Sequence, residues 1–229
     1  MKGGDTPAAS PTPWGTIRHG ELDPVVDPAW DPAAVRERLT RALDPVFREG
    51  WLLGDEGRDL AHGDRPRTPA GVLIALVPRQ SGPSILLTQR TAHLRDHAGQ
   101  ISLPGGRVEA GETPLDAALR EAEEEIGLPP ARVEVLGELH PYDTGTGYRI
   151  HPVVGWIDPP PDRYALDPFE VDELFELPLA YVLDEANHRR DSHERDGRKR
   201  HFYVLPHEGR YIWGATAGIL VNLSRVLRG

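Results

Sequence analysis

Residues 106–128 read GRVEAGETPLDAALREAEEEIGL, and the class of fold turns on this stretch. Thr113-Pro114 has the form of a helix start, with a hydroxyl N-cap and proline at the first helical position, and Gly127 has the form of a stop. Between them Ala117, Ala118, Leu119, Ala122 and Ile126 recur at helical spacing, so the pattern predicts an amphipathic helix ending at Gly127. The same stretch holds Glu109, Glu112, Asp116, Glu121, Glu123, Glu124 and Glu125 against only Arg107 and Arg120. So acidic a cluster repels itself unless a cation neutralises it, and oxygen donors suit hard divalent ions, Mg²⁺ or Mn²⁺.

Helical geometry selects among the acids. Glu121, Glu124 and Glu125 stand at i, i+3 and i+4 and share a face, whereas Glu123 is rotated towards solvent. Pro104-Gly105-Gly106 reads as a tight loop that brings bare backbone to the same place, where a glycine carbonyl offers another oxygen. Glu112 lies just before the helix, within reach of a bidentate pair with Arg120. The plainer reading is a solvated acidic face with a charged cap, the usual fate of a charge run. The Gly-Gly loop, the upstream Glu, the adjacent Arg and the terminal Gly at fixed offsets favour a built site.

Outward from this segment, Gly71–Pro78 and Ser84–Gln89 are short apolar runs separated by a turn at 80–83, as in paired strands. Ile101–Leu103 is a further short strand. Arg132–Leu139 and Tyr148–Ile157 read as strands, Leu179–Glu185 as a short helix, Phe202–Leu205 with Arg210–Trp213 as a hairpin, and Ala215–Leu227 as a closing helix. Strands interleaved with helices imply a layered α/β domain. Near the start, Asp31-Pro32 resembles an N-cap and first helical residue, and Val35, Leu39, Ala42 and Leu43 define one helix face. Residues 1 to about 30 read as a loosely ordered tail and 56–68 as a polar linker. These features divide the chain into an N-terminal extension with one helix, 1–66, and a main domain, 67–229.

A net charge of −10 weighs against a nucleic-acid backbone or an anionic membrane as partner. It leaves phosphate substrates open, because bound metal inverts the local field. The absence of cysteine removes disulfides, thiolate catalysis and Cys-ligated zinc. The first residues lack the apolar run of a secretory signal, and no stretch approaches the roughly 20 apolar residues that span a bilayer, so a soluble cytoplasmic protein is expected. A homo-oligomer is left open.

The central segment resembles the Nudix hydrolase box, G-x5-E-x7-R-E-U-x-E-E-x-G-U, with U apolar. Gly106, Glu112, Arg120-Glu121, Glu124-Glu125 and Gly127-Leu128 fall on its fixed positions, and Ala122 is a small occupant of an apolar one. The resemblance implies a Nudix-type α/β/α sandwich around a mixed β-sheet. It also implies metal-dependent cleavage of a nucleoside diphosphate linked to another group. Carried over by position, Glu121, Glu124 and Glu125 bind the metal with help from the Gly105 carbonyl, and Glu112 and Arg120 support them. A further carboxylate takes the proton of water, and in DPFEVDELFELPL the candidates are Glu170 first, then Glu173. The alternative is that these acids only cap a short helix.

Upstream, residues 86–106 (LLTQRTAHLRDHAGQISLPGG) place Arg90, Arg95 and His97 on a loop leading into the metal site. The stretch resembles the signature of the coenzyme A pyrophosphatase subgroup at Leu86, Leu87, Thr88, Arg90, Arg95, Gly99 and Gln100. It departs at Thr91, where Ser or Ala is usual, and at Leu103, where an aromatic is usual. ELFELPL (173–179) and RYIWGATA (210–217) continue the likeness, which covers about residues 70–228. It implies hydrolysis of coenzyme A or its acyl derivatives to 3′,5′-ADP and 4′-phosphopantetheine. Arg90, Arg95 and His97 are then the candidates for the coenzyme's 3′-phosphate end, and Gln100 is a further substrate-side candidate. An ADP-ribose, NADH or dinucleotide pyrophosphatase is the nearest alternative, and a catalytically silent nucleotide sensor a more distant one. The basic stretch His188–His201 reads as a solvated loop and Trp213 as core packing.

Overall fold

The computed structural model describes residues 32–43, 66–94, 97–195 and 198–228. Its central sheet is mixed. β1 (Thr68–Val77) lies parallel to β7 (Tyr148–Ile157) from Thr68 opposite Tyr148 to Leu76 opposite Trp156. The other pairings are antiparallel: β2 (Ser84–Arg90) on the far end of β1, β3 (Ile101–Ser102) and β8 (Val171–Pro178) on β2, and β5 (Val133–Glu138) and β6 (Tyr142–Asp143) on β7.

Alternation along the strands builds two cores. Leu73, Ala75 and Val77 of β1, Leu86 of β2, and Val153 and Ile157 of β7 point to α2 (Pro114–Ile126), where Ala118, Ala122 and Ile126 meet them. Ile74, Leu76, Ile85, Leu87, Val154 and Trp156 point the other way. They pack with α1 (Pro32–Ala42), α3 (Leu179–Leu183) and α4 (Gly214–Arg228). The result is the expected α/β/α sandwich around a mixed sheet. Val35, Leu39 and Leu43 of the N-terminal helix are buried in the second core, and that helix packs on α4 and β5. Asp31 and most of the 56–68 stretch lie outside the described residues. Among the described residues no helix is long and apolar enough to cross a membrane.

Three local expectations need correction. Pro104-Gly105-Gly106 is not only a loop: Gly105–Arg107 form a strand, β4, paired with Val72, Gly71 and Ala70. β2 engages only Leu76 and Val77 of β1, which leaves the near end of β1 open to this second partner. Most of 188–201 is not a loop either. Arg189–Arg195 form β9 and Arg198–His207 form β10, and with β11 (Arg210–Trp213) they make a three-stranded antiparallel sheet. Backbone pairing propagates outward from the apolar Val204–Leu205 register without needing apolar side chains beyond it, so no period-2 pattern betrays it. No helix begins at Glu170–Glu173; Asp172 and Glu173 lie within β8.

Candidate active site

The acidic helix is fixed at both ends. Thr113 accepts from the backbone N–H of Asp116 at 3.2 Å, and Asp116 accepts from that of Thr113 at 2.9 Å, a complete capping box. Gly127 closes the helix in the left-handed conformation (φ 65°). Gly71 sets its distance from the sheet, since a Cβ there would lie 2.0 Å from the Pro114 carbonyl oxygen. With Ala117, Ala118, Ala122 and Ile126 turned inward, Glu121 meets Gly106 and the buried Glu125 meets Gly105 of β4, while Glu124 stands exposed beside Arg120.

These three acids have different surroundings. Glu121 is half-buried against Gly106, where a Cβ would come 2.2 Å from its Oε1. Only glycine permits that approach. Glu125 is 3% exposed and accepts from the Gly105 N–H at 3.3 Å and from Arg90 Nη1 at 3.4 Å. So the group of Gly105 that touches this carboxylate is its N–H. Glu124 is 60% exposed and accepts from Arg120 Nη1 at 2.9 Å. Glu123 faces solvent as expected.

Arg120 organises one side of the cluster. Its guanidinium makes the expected bidentate pair with Glu112, at 2.7 and 3.3 Å, and also donates to Glu121 at 3.0 Å and to the Arg107 carbonyl at 3.1 Å. Glu112 accepts in addition from the Glu109 N–H at 3.0 Å. Hydrogen bonding from Arg120, then from that N–H, holds Glu112 below the ordinary carboxylate range.

Glu170 arrives from elsewhere in the sequence. The chain before β8 is hydrogen-bonded to the end of α2, Ala165 N–H to the Ile126 carbonyl and Asp167 N–H to the Glu125 carbonyl. Thr91 grips the same segment, its N–H donating to the Glu170 carbonyl at 2.9 Å and its Oγ1 to the Phe169 carbonyl at 2.8 Å. Arg90 Nη2 then reaches Glu170 at 3.4 Å. Glu173, the second candidate, is drawn away to Arg210 at 2.8 Å.

Burial raises Glu125 to about 8, with Arg90 opposing and Glu121 and Glu170 reinforcing. Burial likewise raises Glu121, against the pull of Arg120. A buried carboxylate that resists ionisation, with acids on either side, is what a divalent cation would relieve, and the hard oxygen donors suit Mg²⁺ or Mn²⁺. Among the described residues, no three acid or histidine side chains are arranged to hold an ion as they stand, and Arg120 and Arg90 engage oxygens of Glu121, Glu124, Glu125 and Glu170.

The substrate-side candidates fall around a cavity of about 540 Å³ next to this cluster. Arg90, His97, Gln100, Gly105 and Gly106 line it. His97, at φ 59°, pairs through Nδ1 with Gln100 Oε1 at 2.8 Å. Arg95 lies outside the described residues. Trp213 is not core packing: it is half-buried, lines the cavity and meets Phe202 edge-on at 5.4 Å. Sequence reasoning missed Thr91 as a pin, the bridging position of Arg90, and Arg107, which donates to the Tyr148 hydroxyl at the cavity's edge. Thr91 had a signal, being one of the two departures in an otherwise matching stretch.

The NUDIX domain family model matches residues 67–205. A protein of Escherichia coli O7:K1 described as "Uncharacterized Nudix hydrolase NudL" is 46% identical over 156 residues, covering 68% of this chain and 80% of that protein. A protein of the same description from Escherichia fergusonii gives the same identity and coverage. Among solved structures, the Nudix hydrolase RenU of M. smegmatis aligns with a TM-score of 0.49 at 22% identity, over 79% of this chain and 96% of that one.

Proposed function

Because the chain belongs to the Nudix hydrolase family, whose members hydrolyse pyrophosphate bonds in nucleotide-like substrates and generally use divalent metal ions, we propose that it cleaves coenzyme A or acyl-CoA. Water adds to one phosphorus, the bridging P–O bond breaks, and the products are 3′,5′-ADP and 4′-phosphopantetheine or its acyl form. The observation that carries the hydrolytic reading is the convergence of Glu121, Glu125 and Glu170 from α2 and the 165–170 segment. What supports coenzyme A is the 86–106 stretch, whose Arg90, His97 and Gln100 edge the neighbouring cavity.

In this reading Glu121, Glu124 and Glu125 hold Mg²⁺ or Mn²⁺. Bound there, the ion would supply positive charge against the pyrophosphate and a lowered pKa for water. Glu170 accepts the proton of the attacking water at a carboxylate oxygen. Arg120 keeps Glu112 and the two outer ligands in register. Arg90, between Glu125 and Glu170, holds these two acids together beside the place the pyrophosphate would take. We place the catalytic domain at residues 67–229 and treat 1–66 as an extension, and we expect the protein to act in the cytoplasm.

The test is incubation with Mg²⁺ or Mn²⁺ and, separately, CoA, ADP-ribose, NADH and a dinucleoside polyphosphate, with Glu124→Gln as control. Consumption of CoA in preference to the others is expected. Survival of CoA while ADP-ribose disappears would overturn the substrate, and a fully active Glu124→Gln would overturn the metal assignment.

A further inference from the structure

The strand that carries Gly105 and Gly106, β4, has two sides. One meets the carboxylates, through the Gly105 N–H to Glu125 and the bare Cα of Gly106 against Glu121. The other bounds the cavity of about 540 Å³, a size within the roughly 300–1,000 Å³ range of small-molecule sites. Its walls are largely aliphatic: Val72, Leu103, Ile150 and Ile219, with Trp213 along one side. Hydroxyls of Ser102, Thr144, Thr146 and Thr216 interrupt them. Among the described residues that line it there is no Asp or Glu. Of its two arginines, Arg90 already bridges Glu125 and Glu170, and Arg107 is exposed and held by Tyr148.

That chemistry separates the two halves of the substrate. The nucleotide half carries a 3′-phosphate and wants uncommitted cations, whereas among the described lining residues Arg90 is engaged with two acids, Arg107 with Tyr148 and His97 with Gln100. The other half beyond the pyrophosphate is an uncharged chain of amides and methyl groups ending in a thiol or thioester, and hydroxyls set among aliphatic side chains match it. We infer that the cavity receives the pantetheine arm and its acyl group, a deepening that rests on the coenzyme A reading. A pyrophosphate at the carboxylates then passes its uncharged end over the glycines of β4, and Trp213 flanks the arm.

Pantetheine and its S-butanoyl and S-hexanoyl thioesters carry no pyrophosphate, so calorimetric titration of the full chain reads the cavity without turnover. Affinity is expected to rise about three- to fourfold per added methylene until the cavity is full. Ala215→Phe, on the cavity wall, and Thr146→Phe, at its exposed rim, each place a ring in the space. Each is expected to weaken S-hexanoylpantetheine at least about tenfold while leaving 3′,5′-ADP within about twofold. The rim variant carries the test should the wall variant not fold. The assignment is overturned if chain length has no effect, if the folded variants leave the thioester unchanged, or if they weaken 3′,5′-ADP instead, which would put the nucleoside in the cavity. Failure of the coenzyme A reading shows separately, as survival of CoA in the turnover assay.

Discussion

Arg120 holds its acids at 2.7 Å from Glu112, 3.0 Å from Glu121 and 2.9 Å from Glu124, whereas Arg90 spans Glu125 and Glu170 at 3.4 Å each. The first half of the cluster is bidentate and half-exposed, and it joins residues within one short segment. The second half is more buried at Glu125 and draws its acids from two segments distant in sequence, α2 and the approach to β8. Charge-assisted bonds near 2.8 Å are strong and fixed, and contacts at 3.4 Å are marginal. The tight half therefore acts as scaffold. In the proposed reading, where Glu121, Glu124 and Glu125 hold the ion, the loose half at Glu125 is where it displaces a guanidinium most readily, and where the proton inventory changes when it does.

The largest effect is expected at Glu125. Glu125→Gln removes a ligand charge without changing shape, and a loss of about 10³-fold or more in kcat/KM is expected, on the order of 4 kcal/mol. The metal-free stability of the same variant reads the proton. Burial lifts Glu125 from its ordinary 4.5 to about 8, so across that window the folded chain keeps a proton that the unfolded chain has released. This group's contribution is full below about pH 4.5 and is lost as pH rises towards 8. Glu125→Gln should therefore be the more heat-stable protein at pH 8, by about 3–6 °C, and lose that advantage near pH 4.5. With Mn²⁺ at pH 7 the wild type should regain stability and release close to one proton per ion, measurable by calorimetry in buffers of different ionisation enthalpy. Equal melting temperatures at pH 8 would place no unwilling anion at Glu125.

Paired substitutions at the two arginines come next. Arg120→Lys keeps the charge but cannot make the fork that serves Glu112 while reaching Glu121 and Glu124. A drop of roughly 30–100-fold in kcat is expected, with about 1 kcal/mol of stability lost. Arg90→Gln should do the opposite to the metal. Removing a cation that competes for Glu125 and Glu170 should tighten Mn²⁺ about three- to tenfold in the absence of substrate, read by electron paramagnetic resonance, while KM for substrate rises. If both variants shift Mn²⁺ affinity in the same direction, the distinction between scaffold and exchangeable cation fails.

The scaffold half was the more legible in sequence, and the reason is geometric. Glu112, Arg120, Glu121 and Glu124 lie within thirteen consecutive residues, so helix periodicity and an eight-residue reach connect them without knowledge of the fold. The capping box, the proline start and the glycine stop of α2 are equally local. The loose half depends on three distant segments. Arg90 reaches Glu170 because β2 pairs with β8, Arg90 opposite Val171, and Glu125 meets them because the 165–167 segment is bonded to the end of α2. Glu170 was still visible as an acid, but its partner was not. β4 and the β9–β10 hairpin escaped for a related cause: their pairing is written in backbone hydrogen bonds, and Gly-Gly or Arg-Arg-Asp leaves no apolar alternation to read.

The smallest effect tests whether the loose half is positioned at all. Thr91 is buried, and its hydroxyl donates to the Phe169 carbonyl while its backbone holds Glu170. Thr91→Val conserves shape and volume but deletes that donor, leaving a carbonyl beside a methyl group, at a cost of about 1 kcal/mol. The backbone bond to Glu170 survives, so the segment loosens without leaving. A three- to tenfold fall in kcat is expected, on the order of 1 kcal/mol, with Mn²⁺ affinity unchanged because the helix acids are untouched. Thr91→Ser should restore the rate, since it restores the hydroxyl. That rescue separates placement of Glu170 from simple packing, because Ser leaves the Thr methyl unfilled and a packing role would make it no better than Val. Glu173→Gln provides the baseline: with its carboxylate committed to Arg210, it should change kcat by less than about twofold. If Glu173→Gln costs more than Thr91→Val, the base lies on β8 and Arg90 bridges the wrong acid.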